Sequence, residues 1–430
     1  MGKLQIIIIG VSIILAIVAL LLFAGFIPGF KAGQPGQTGE ISVWGTIPQK
    51  LLAPALGDFR LRFKDITVTY REFSPETYID ELINALASNR GPDVFLLPQE
   101  QILKQKDKVF ILTSDIYPLR VFRDNFLDLA GIYETEEGIV GVPLRVDPLV
   151  LYWNRDLFGQ AAVAKPPATW DEFSDAAQKL TKIQGGKILQ AGAALGEFRN
   201  IRNAKDILAL LMLQTGSPIV DPRTLRPIFA ERGQNILSPA EEALLLFNSF
   251  SDSRKDTYSW NRTLPEAREA FSSGRLAMYI GYASDLDPIL SQNPHLNFDV
   301  REVPQIRDGK FNVTFAKSTA FVVSKQSPNI ATALTFIYDL TGFNQQKLLA
   351  ENSLVPPALR SLLAQAPENP ILVNFYRAAI RSRAWLDPDP VQTRLIWQEM
   401  AESVLSGAKR IDEAVQSAQA QFSAFIPKTN

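Results

Sequence analysis

The sequence contains no cysteine and a single histidine in its 430 residues. Without thiols there can be no disulfide bridge, no thiolate metal site, no cysteine nucleophile and no lipid-modified cysteine. The one histidine, His295, stands in the polar stretch Asn293-Pro294-His295. We expect a solvated loop position for it rather than a role as a metal ligand or a base. With a single histidine, the chain is a poor candidate for a histidine-dependent catalytic triad or metal site.

The chain also lacks an excess of charge of either sign. Its 44 Lys and Arg residues are balanced by 45 Asp and Glu residues, which gives a formal net charge of −1. A near-neutral chain offers no electrostatic reason to bind nucleic acid, so we expect no such partner. A length of 430 residues exceeds that of one ordinary domain and favours a two-lobed architecture.

One long apolar run is present, and it lies at the N-terminus. Residues 4–27 are almost wholly apolar. About 24 helical residues rise roughly 36 Å, enough to cross a hydrocarbon core of about 30 Å. The run is longer than a signal-peptide core of about 7–15 residues, and no Ala-x-Ala cleavage site follows it. We predict an uncleaved signal anchor, one transmembrane helix, over residues 1–30, followed by a polar linker over residues 31–40.

Beyond the linker, short apolar strands alternate with helices. The runs 41–44, 66–70 and 93–97 are apolar or β-branched, and helical patterns separate them. Such strands predict a parallel sheet that is covered on both faces and binds its ligand beyond the carboxyl ends of the strands. Trp44 ends the first of these strands, and Glu100 closely follows the third. Core packing for Trp44 and an exposed loop position for Glu100 are the alternatives.

The most informative stretch is Gly141–Phe158, which reads GVPLRVDPLVLYWNRDLF. It combines a polar segment bounded by proline, which carries Arg145 and Asp147, with an apolar strand. A Pro-rich loop then leads to Thr169-Trp170-Asp171-Glu172, a capping box that predicts a helix start. A second capping box, Ser238-Pro239-Ala240-Glu241, predicts another helix start, and Pro390–Leu405 is also predicted to be helical. A charged pair beside a strand that joins two α/β units indicates a crossover between lobes, with a cleft beside it.

The order of these residues resembles that of the extracellular solute-binding proteins of ABC importers, the group that includes maltose-binding protein. The resemblance rests on Gly141, Pro143 and Asp147, on Tyr152–Phe158, and on Pro167–Glu172. Two later segments extend it. Phe271–Met278 is similar to the family's Phe-x-x-Gly-Lys-x-Ala-Met, and Val355-Pro356-Pro357 is similar to the family's return crossing into the second lobe.

The resemblance implies an α/β fold of the periplasmic-binding-protein-like type II class, with two lobes joined by a hinge and preceded by the transmembrane helix. It implies lobe 1 from residues 41–146 and 316–357, and lobe 2 from residues 147–315 and 358–430. A monomer is expected.

The resemblance, together with the polar and aromatic residues of the predicted cleft, also gives a set of candidate ligand contacts. They are Trp44, Glu100, Arg145, Asp147, Trp260, Tyr282, Asp285 and Trp385. Carboxylates and guanidinium groups pair with vicinal hydroxyls, and aromatic rings cover the C–H faces of a sugar. The alternative for Asp147 is a salt bridge to Arg145 that stiffens the hinge.

The implied function is capture of a sugar or oligosaccharide by a protein anchored in the cell membrane with its soluble part on the extracellular or periplasmic side. ABC permease subunits would be its partners. Neither a cofactor, a metal nor a catalytic residue is expected. Two alternatives remain open: a receptor that presents its ligand to a signalling partner, and an anchored glycosidase whose carboxyl pair would be Glu100 and Asp147.

Overall fold

The computed structural model describes residues 38–233, 236–367 and 369–426. The predicted anchor over residues 1–30 and most of the predicted linker lie outside these residues. Within the described part of the chain, none of the helices combines the length and the apolar composition needed to cross a bilayer. The first strand begins at Gly39, so the last two residues of the predicted linker belong to the folded domain.

The strands of the described residues form one connected series of two sheets. In chain order they are β1 (Gly39–Gly45), β2 (Ile66–Glu72), β3 (Val94–Pro98), β4 (Val142–Asn154), β5 (Lys182–Gln184), β6 (Lys187–Ala193), β7 (Leu276–Tyr282), β8 (Phe298–Glu302), β9 (Thr314–Val323) and β10 (Ser382–Arg383).

The α-helices fill the connections between these strands and form the C-terminal region. They are α1 (Gln49–Arg62), α2 (Tyr78–Ala87), α3 (Ile102–Gln105), α4 (Leu119–Asn125), α5 (Arg155–Gln160), α6 (Trp170–Leu180), α7 (Ala204–Gln214), α8 (Pro239–Ser249), α9 (Ala267–Ser272), α10 (Leu286–Gln292), α11 (Ile330–Leu340), α12 (Phe343–Ser353), α13 (Arg360–Leu363), α14 (Pro370–Ile380), α15 (Pro390–Leu405) and α16 (Ile411–Ala424).

The sheet of lobe 1 has the strand order β2-β1-β3-β9-β4. β1 runs parallel to β2 and β3, as the sequence predicts, whereas β9 runs antiparallel to both β3 and β4. The predicted parallel sheet is therefore correct for the first three strands and wrong for the whole, because two long strands that run between the lobes, β4 leaving this lobe and β9 entering it, complete the sheet in antiparallel pairs. All four residues 94–97 of β3 are fully buried, as expected for a strand covered on both faces.

The sheet of lobe 2 is built on the second half of β4. Residues 149–153 of β4 pair with β7, residues 150–154 pair with β8, and β6 continues the sheet beyond β7. Two predicted helix starts can be checked here. Ser238 and Glu241 form the predicted capping box of α8. At α6, Thr169 accepts from the amide of Glu172, whose carboxylate accepts from Ala168 rather than from Thr169.

The two lobes share the long strands β4 and β9, which pair with each other over residues 142–148 and 316–321 before β4 enters lobe 2. The Val355-Pro356-Pro357 segment joins them, since the amide of Val146 donates to the carbonyl of Pro356 at 3.0 Å. The crossover predicted at Arg145 and Asp147 is therefore a point where three pieces of backbone lie side by side. This arrangement sets the position of the cleft.

Candidate functional site

The lobe 1 wall of the cleft is fixed to the crossing strand by one buried glutamine. Gln99 begins the short turn after β3, and its side chain bonds the backbone of β9 on both sides of Lys317. Its amide nitrogen donates to the carbonyl of Ala316 at 3.3 Å, and its amide oxygen accepts from the amide of Ser318 at 2.9 Å. Glu100, the next residue, is thereby held beside Lys317.

Lys317 lies at the junction of both lobes. In the ladder between β4 and β9 it stands directly opposite Asp147. Its ammonium nitrogen is 2.9 Å from the carboxylate of Glu100 in lobe 1 and 3.5 Å from that of Asp206 in lobe 2. One lysine on the hinge strand therefore joins an acidic residue of each lobe.

Asp206 belongs to the first turn of α7, where a helix favours an acidic residue. The N-cap Asn203 ties this helix to the sheet, because its side-chain amide donates to the carbonyl of Ile280 at 2.7 Å. The Asp206 carboxylate also accepts from the Tyr282 hydroxyl at 2.7 Å. Helix α7 and strand β7 together fix the position of this carboxylate.

The network continues deeper into lobe 2. Lys205 lies 3.8 Å from the other oxygen of Asp206 and 2.7 Å from the carboxylate of Asp387. Asp387 in turn accepts from the hydroxyl of Thr393 at 2.7 Å. The result is a line of alternating charges, which we call the charge chain: Glu100, Lys317, Asp206, Lys205 and Asp387.

The pKa values of the charge chain follow from burial and mutual attraction. Burial alone would lower the pKa of Lys317, but the carboxylates of Asp206 and Glu100 outweigh it and raise that pKa well above its usual value. Burial would raise the pKa of Asp206, and the two lysines and Tyr282 lower it overall. For Asp387, burial prevails over Lys205, and its pKa is raised.

Asp147 and Arg145 lie on the same face of β4, next to Lys317. Asp147 accepts a hydrogen bond from the amide of Ser284 at 3.0 Å, which links the crossing strand to the end of β7. Burial raises its pKa to about 6, against the opposing effects of Ser284 and of the Arg145 charge. The salt bridge to Arg145 that was the alternative for Asp147 is not formed. The charge of Arg145 attracts the Asp147 carboxylate at longer range, and the amide of Ser284 binds it directly.

Two of the predicted aromatic contacts touch the charge chain. The ammonium of Lys317 lies 5.2 Å from the ring centre of Tyr282. The ammonium of Lys205 lies 5.6 Å from the ring centre of Trp385. Trp385 also stacks on Trp397 with ring centres 5.8 Å apart. Trp44, at the end of β1 in lobe 1, is half-buried.

Two predicted contacts are engaged elsewhere. Trp260 is fully buried, and its indole nitrogen donates to Asn200 at 3.0 Å, so the ring is part of the lobe 2 core. Asp285 accepts from the hydroxyl of Tyr279, from the backbone of Tyr282, and from Arg268 at 3.1 Å. Asp285 therefore positions the end of β7, and Trp260 packs in the core of lobe 2.

Sequence reasoning missed Lys317, Asp206, Lys205 and Asp387. A signal for two of them was present: Lys317 interrupts the apolar strand TFAKSTAFVV, and Asp206 interrupts the apolar helix AKDILALLMLQ. A charge inside an otherwise apolar element is costly unless it is paired, so such positions indicate a partner. The partners themselves come from distant parts of the chain, which only the fold reveals.

A separate cavity of 560 Å³ lies between α12 and α14 and is lined by Lys347, Glu351, Leu362 and Tyr376 among others. It includes no member of the charge chain. Its charged residues are the exposed pair Lys347–Glu351, 3.8 Å apart. We assign the site to the cleft, where buried polar groups of both lobes converge.

The cleft provides hydrogen-bond acceptors on Glu100 and Asp147, donors on Lys317, and aromatic surface on the partly exposed Tyr282. Such a mixture suits a ligand that carries many hydroxyl groups. Among the described residues, no cluster of His, Cys, Asp and Glu could hold a metal ion.

Comparisons with known proteins place this geometry in context. A family model described as bacterial extracellular solute-binding protein matches residues 57–372. An uncharacterised lipoprotein of Streptomyces antibioticus is 28% identical over 173 residues, a match that spans 38% of this chain and 38% of the lipoprotein's own length.

Solved structures share the whole fold. A cyclic α-maltosyl-1,6-maltose binding protein from Arthrobacter globiformis superimposes with a TM-score of 0.76 at 17% identity, over 91% of this chain and 100% of the other. A solute-binding protein of an ABC transporter from Thermotoga lettingae, bound with α-D-tagatose, superimposes with a TM-score of 0.70 at 18% identity, over 90% of this chain and 100% of the other. At these identities the likeness establishes the two-lobed fold.

Proposed function

Because this chain belongs to the bacterial extracellular solute-binding proteins, we propose that it captures a sugar or oligosaccharide in its cleft and delivers it to an ABC permease. The observation that carries the proposal is the convergence of Glu100 from lobe 1, Lys317 from the hinge strand and Asp206 from lobe 2. A ligand that contacts both lobes beside this junction favours the closed arrangement of the lobes through its higher affinity for that state. The sugar-binding relatives support the choice of ligand class.

For the lobes we propose the division into residues 41–146 with 316–357, and 147–315 with 358–430, changed at one boundary. The carbonyl of Ala358 accepts from the amide of Leu127, and Arg360 pairs with Asp128. The two contacts attach the start of α13 and the segment just before it to lobe 1. The return to lobe 2 therefore falls after Leu363 in this proposal.

We further propose that residues 1–30 anchor the protein in the cell membrane, with the lobes on the extracellular or periplasmic side. The apolar run over residues 4–27 supports this. A permanent anchor would keep the lobes close to the permease and raise their effective concentration there. Membranes washed with alkaline carbonate should retain the protein, and external protease should digest its lobes. Release by carbonate would contradict the anchor.

The test of ligand class is a thermal unfolding screen of the full-length protein in detergent against monosaccharides, oligosaccharides, polyols and short peptides. A ligand at 100 times its dissociation constant should stabilise the native state by about 2.7 kcal/mol. We expect a higher midpoint with one class of sugar.

Asp147→Asn should weaken that binding about tenfold or more, the effect of removing one charge-assisted hydrogen bond. The exposed Asp256→Asn is the matched control and should leave affinity unchanged. A shift with peptides alone would contradict the sugar proposal, and hydrolysis of the sugar during titration would favour the glycosidase alternative.

A further inference from the structure

The charge chain divides into a buried part and an accessible part. The side chains of Asp206, Lys205 and Asp387 are 7%, 12% and 4% exposed, so their charges are satisfied within the protein. Lys317 and Glu100 are 37% and 22% exposed. An incoming ligand therefore meets one ammonium and one carboxylate that already form an ion pair.

The neighbouring accessible charges are also balanced. Asp147 and Arg145 are both half-buried on β4, and each influences the pKa of the other through its charge. The charged groups that act on Lys317 are the accessible carboxylates of Glu100 and Asp147 and the buried carboxylate of Asp206, and the Arg145 guanidinium lies two residues from Asp147 on β4. The accessible surface has no net excess of either sign.

A hydroxyl group can enter such an ion pair without separating the charges from their partners. It donates to the carboxylate with its hydrogen and accepts from the ammonium with its oxygen. A ligand carboxylate could pair with Lys317 but would face Glu100 as a like charge. A ligand ammonium could pair with Glu100 but would face Lys317 as a like charge. Leaving Glu100 or Lys317 unpaired in a partly buried site costs free energy, and this cost lowers the affinity for a charged ligand.

We propose that the Glu100–Lys317 pair makes the cleft selective for uncharged sugars over amino sugars and uronic acids, with Lys317 as the specificity-determining residue. The inference rests on the proposed function, since it refines the ligand class of the same cleft. It differs from a purely structural role for the pair because it assigns opposite effects to its two members. Removal of the ammonium should favour cationic ligands, and removal of the carboxylate should favour anionic ones.

The experiment is isothermal titration of the full-length protein with matched sugars near pH 7. Glucose, glucosamine and glucuronic acid form one series, and the corresponding galactose and mannose compounds form two more. We expect the native protein to bind the neutral member of at least one series about tenfold or more tighter than either charged member. The uniform carbon skeleton within a series isolates the effect of ligand charge.

Two variants test the assignment in opposite directions. Lys317→Met should shift the ratio of affinities towards the amino sugar by about tenfold or more, and Glu100→Gln should shift it towards the uronic acid. Lys310→Met and Glu136→Gln, at exposed positions, are the matched controls and should keep the native ratios. Thermal unfolding checks that each variant folds, and Lys317→Gln replaces the methionine variant if that one does not.

Each outcome has a distinct meaning. Opposite shifts in the two variants would support the proposal. Equal affinity of the native protein for neutral and charged sugars, or shifts in the same direction for both variants, would overturn it while leaving sugar binding intact. If no sugar binds but a peptide does, the proposed function itself fails, and the selectivity proposal fails with it.

Discussion

The two walls of the cleft are built differently. On the lobe 2 wall, Asp206, Tyr282 and Trp385 are each held by several protein partners, among them the hydrogen bond from Tyr282 to Asp206 and the stacking of Trp385 on Trp397. On the lobe 1 wall, Glu100 has a single ion-pair partner. Trp44 packs at the surface, with Phe73 at 4.7 Å and the guanidinium of Arg71 at 5.1 Å.

This difference indicates that the two walls contribute to ligand binding in different ways. A wall whose side chains are fixed before the ligand arrives loses little conformational freedom on binding, whereas a looser wall can adjust as the lobes close. We therefore expect substitutions on the lobe 2 wall to reduce both stability and affinity. Substitutions on the lobe 1 wall should reduce affinity with much smaller losses of stability.

The largest contrast is expected between the two tryptophans. Trp385 is 8% exposed, so Trp385→Ala should lower the free energy of unfolding by about 3–5 kcal/mol, the cost of deleting a buried aromatic side chain. Trp44→Ala should cost roughly half as much, because Trp44 already faces solvent on one side. Urea unfolding of both variants measures the difference. Equal losses of unfolding free energy in the two variants would contradict the proposed difference between the walls.

The next effect concerns charge on the lobe 2 wall. Asp206→Asn keeps the shape of the side chain but removes a charge that faces two lysines and Tyr282, and it should destabilise the protein by about 1.5–3 kcal/mol. Asp256→Asn, at an exposed position, is the control and should be within ~0.5 kcal/mol of the native protein. Denaturant unfolding at low and high salt checks this. An unchanged stability would mean that the charge chain is not coupled to folding.

The hinge between the walls should give a smaller effect that depends on pH. The pKa of Asp147 in the folded protein is raised to about 6 from its usual value, so the folded state binds the proton more tightly than the unfolded chain does. Its contribution to stability is full below about pH 4 and is lost as the pH rises through about 6.

Asp147→Asn should remove a decline of about 1–2 kcal/mol over this range, after allowance for the partial exposure of the carboxylate. Urea unfolding at several pH values, with the native curve subtracted from that of the variant, isolates this group. Parallel curves for the two proteins would contradict the assignment.

The smallest effect belongs to the rim of the cleft. Lys104 of lobe 1 lies 3.0 Å from Asp389, the N-cap of α15 in lobe 2, and the two side chains are 40% and 28% exposed. Lys104→Ala should change stability by only about 0.2–1 kcal/mol, as is typical of a surface pair. The distance between spin labels on the two lobes should nevertheless increase at low salt. If high salt does not abolish that difference, the pair is not its cause.

The sequence predicted much of the fold because local patterns govern local structure. Helix α15 spans Pro390–Leu405 as predicted, and the capping box at Ser238 is present. The strand that contains Arg145 and Asp147 is the predicted crossover. In each case neighbouring residues carry the information: a cap, an apolar period or a proline.

The site was less predictable, because its members are distant in the chain. Glu100, Lys317 and Asp206 meet only after β9 has entered the sheet of lobe 1. Trp260 shows the opposite error: the sequence made it a candidate ligand contact, yet the ring is enclosed by the lobe 2 core. Local polarity does not reveal which way a loop residue points, and that direction depends on packing from elsewhere.

The insertion of β9 between β3 and β4 has a consequence for the order in which the protein can form. The sheet of lobe 1 lacks an internal strand until residues 314–323 have been synthesised, although β1 to β4 end at Asn154. Until then β3 and β4 have no bridge between them, and their unpaired edges are open to incorrect pairing. Completion of the first lobe must wait for most of the second, so a chain truncated within lobe 2 should yield neither lobe in a stable form.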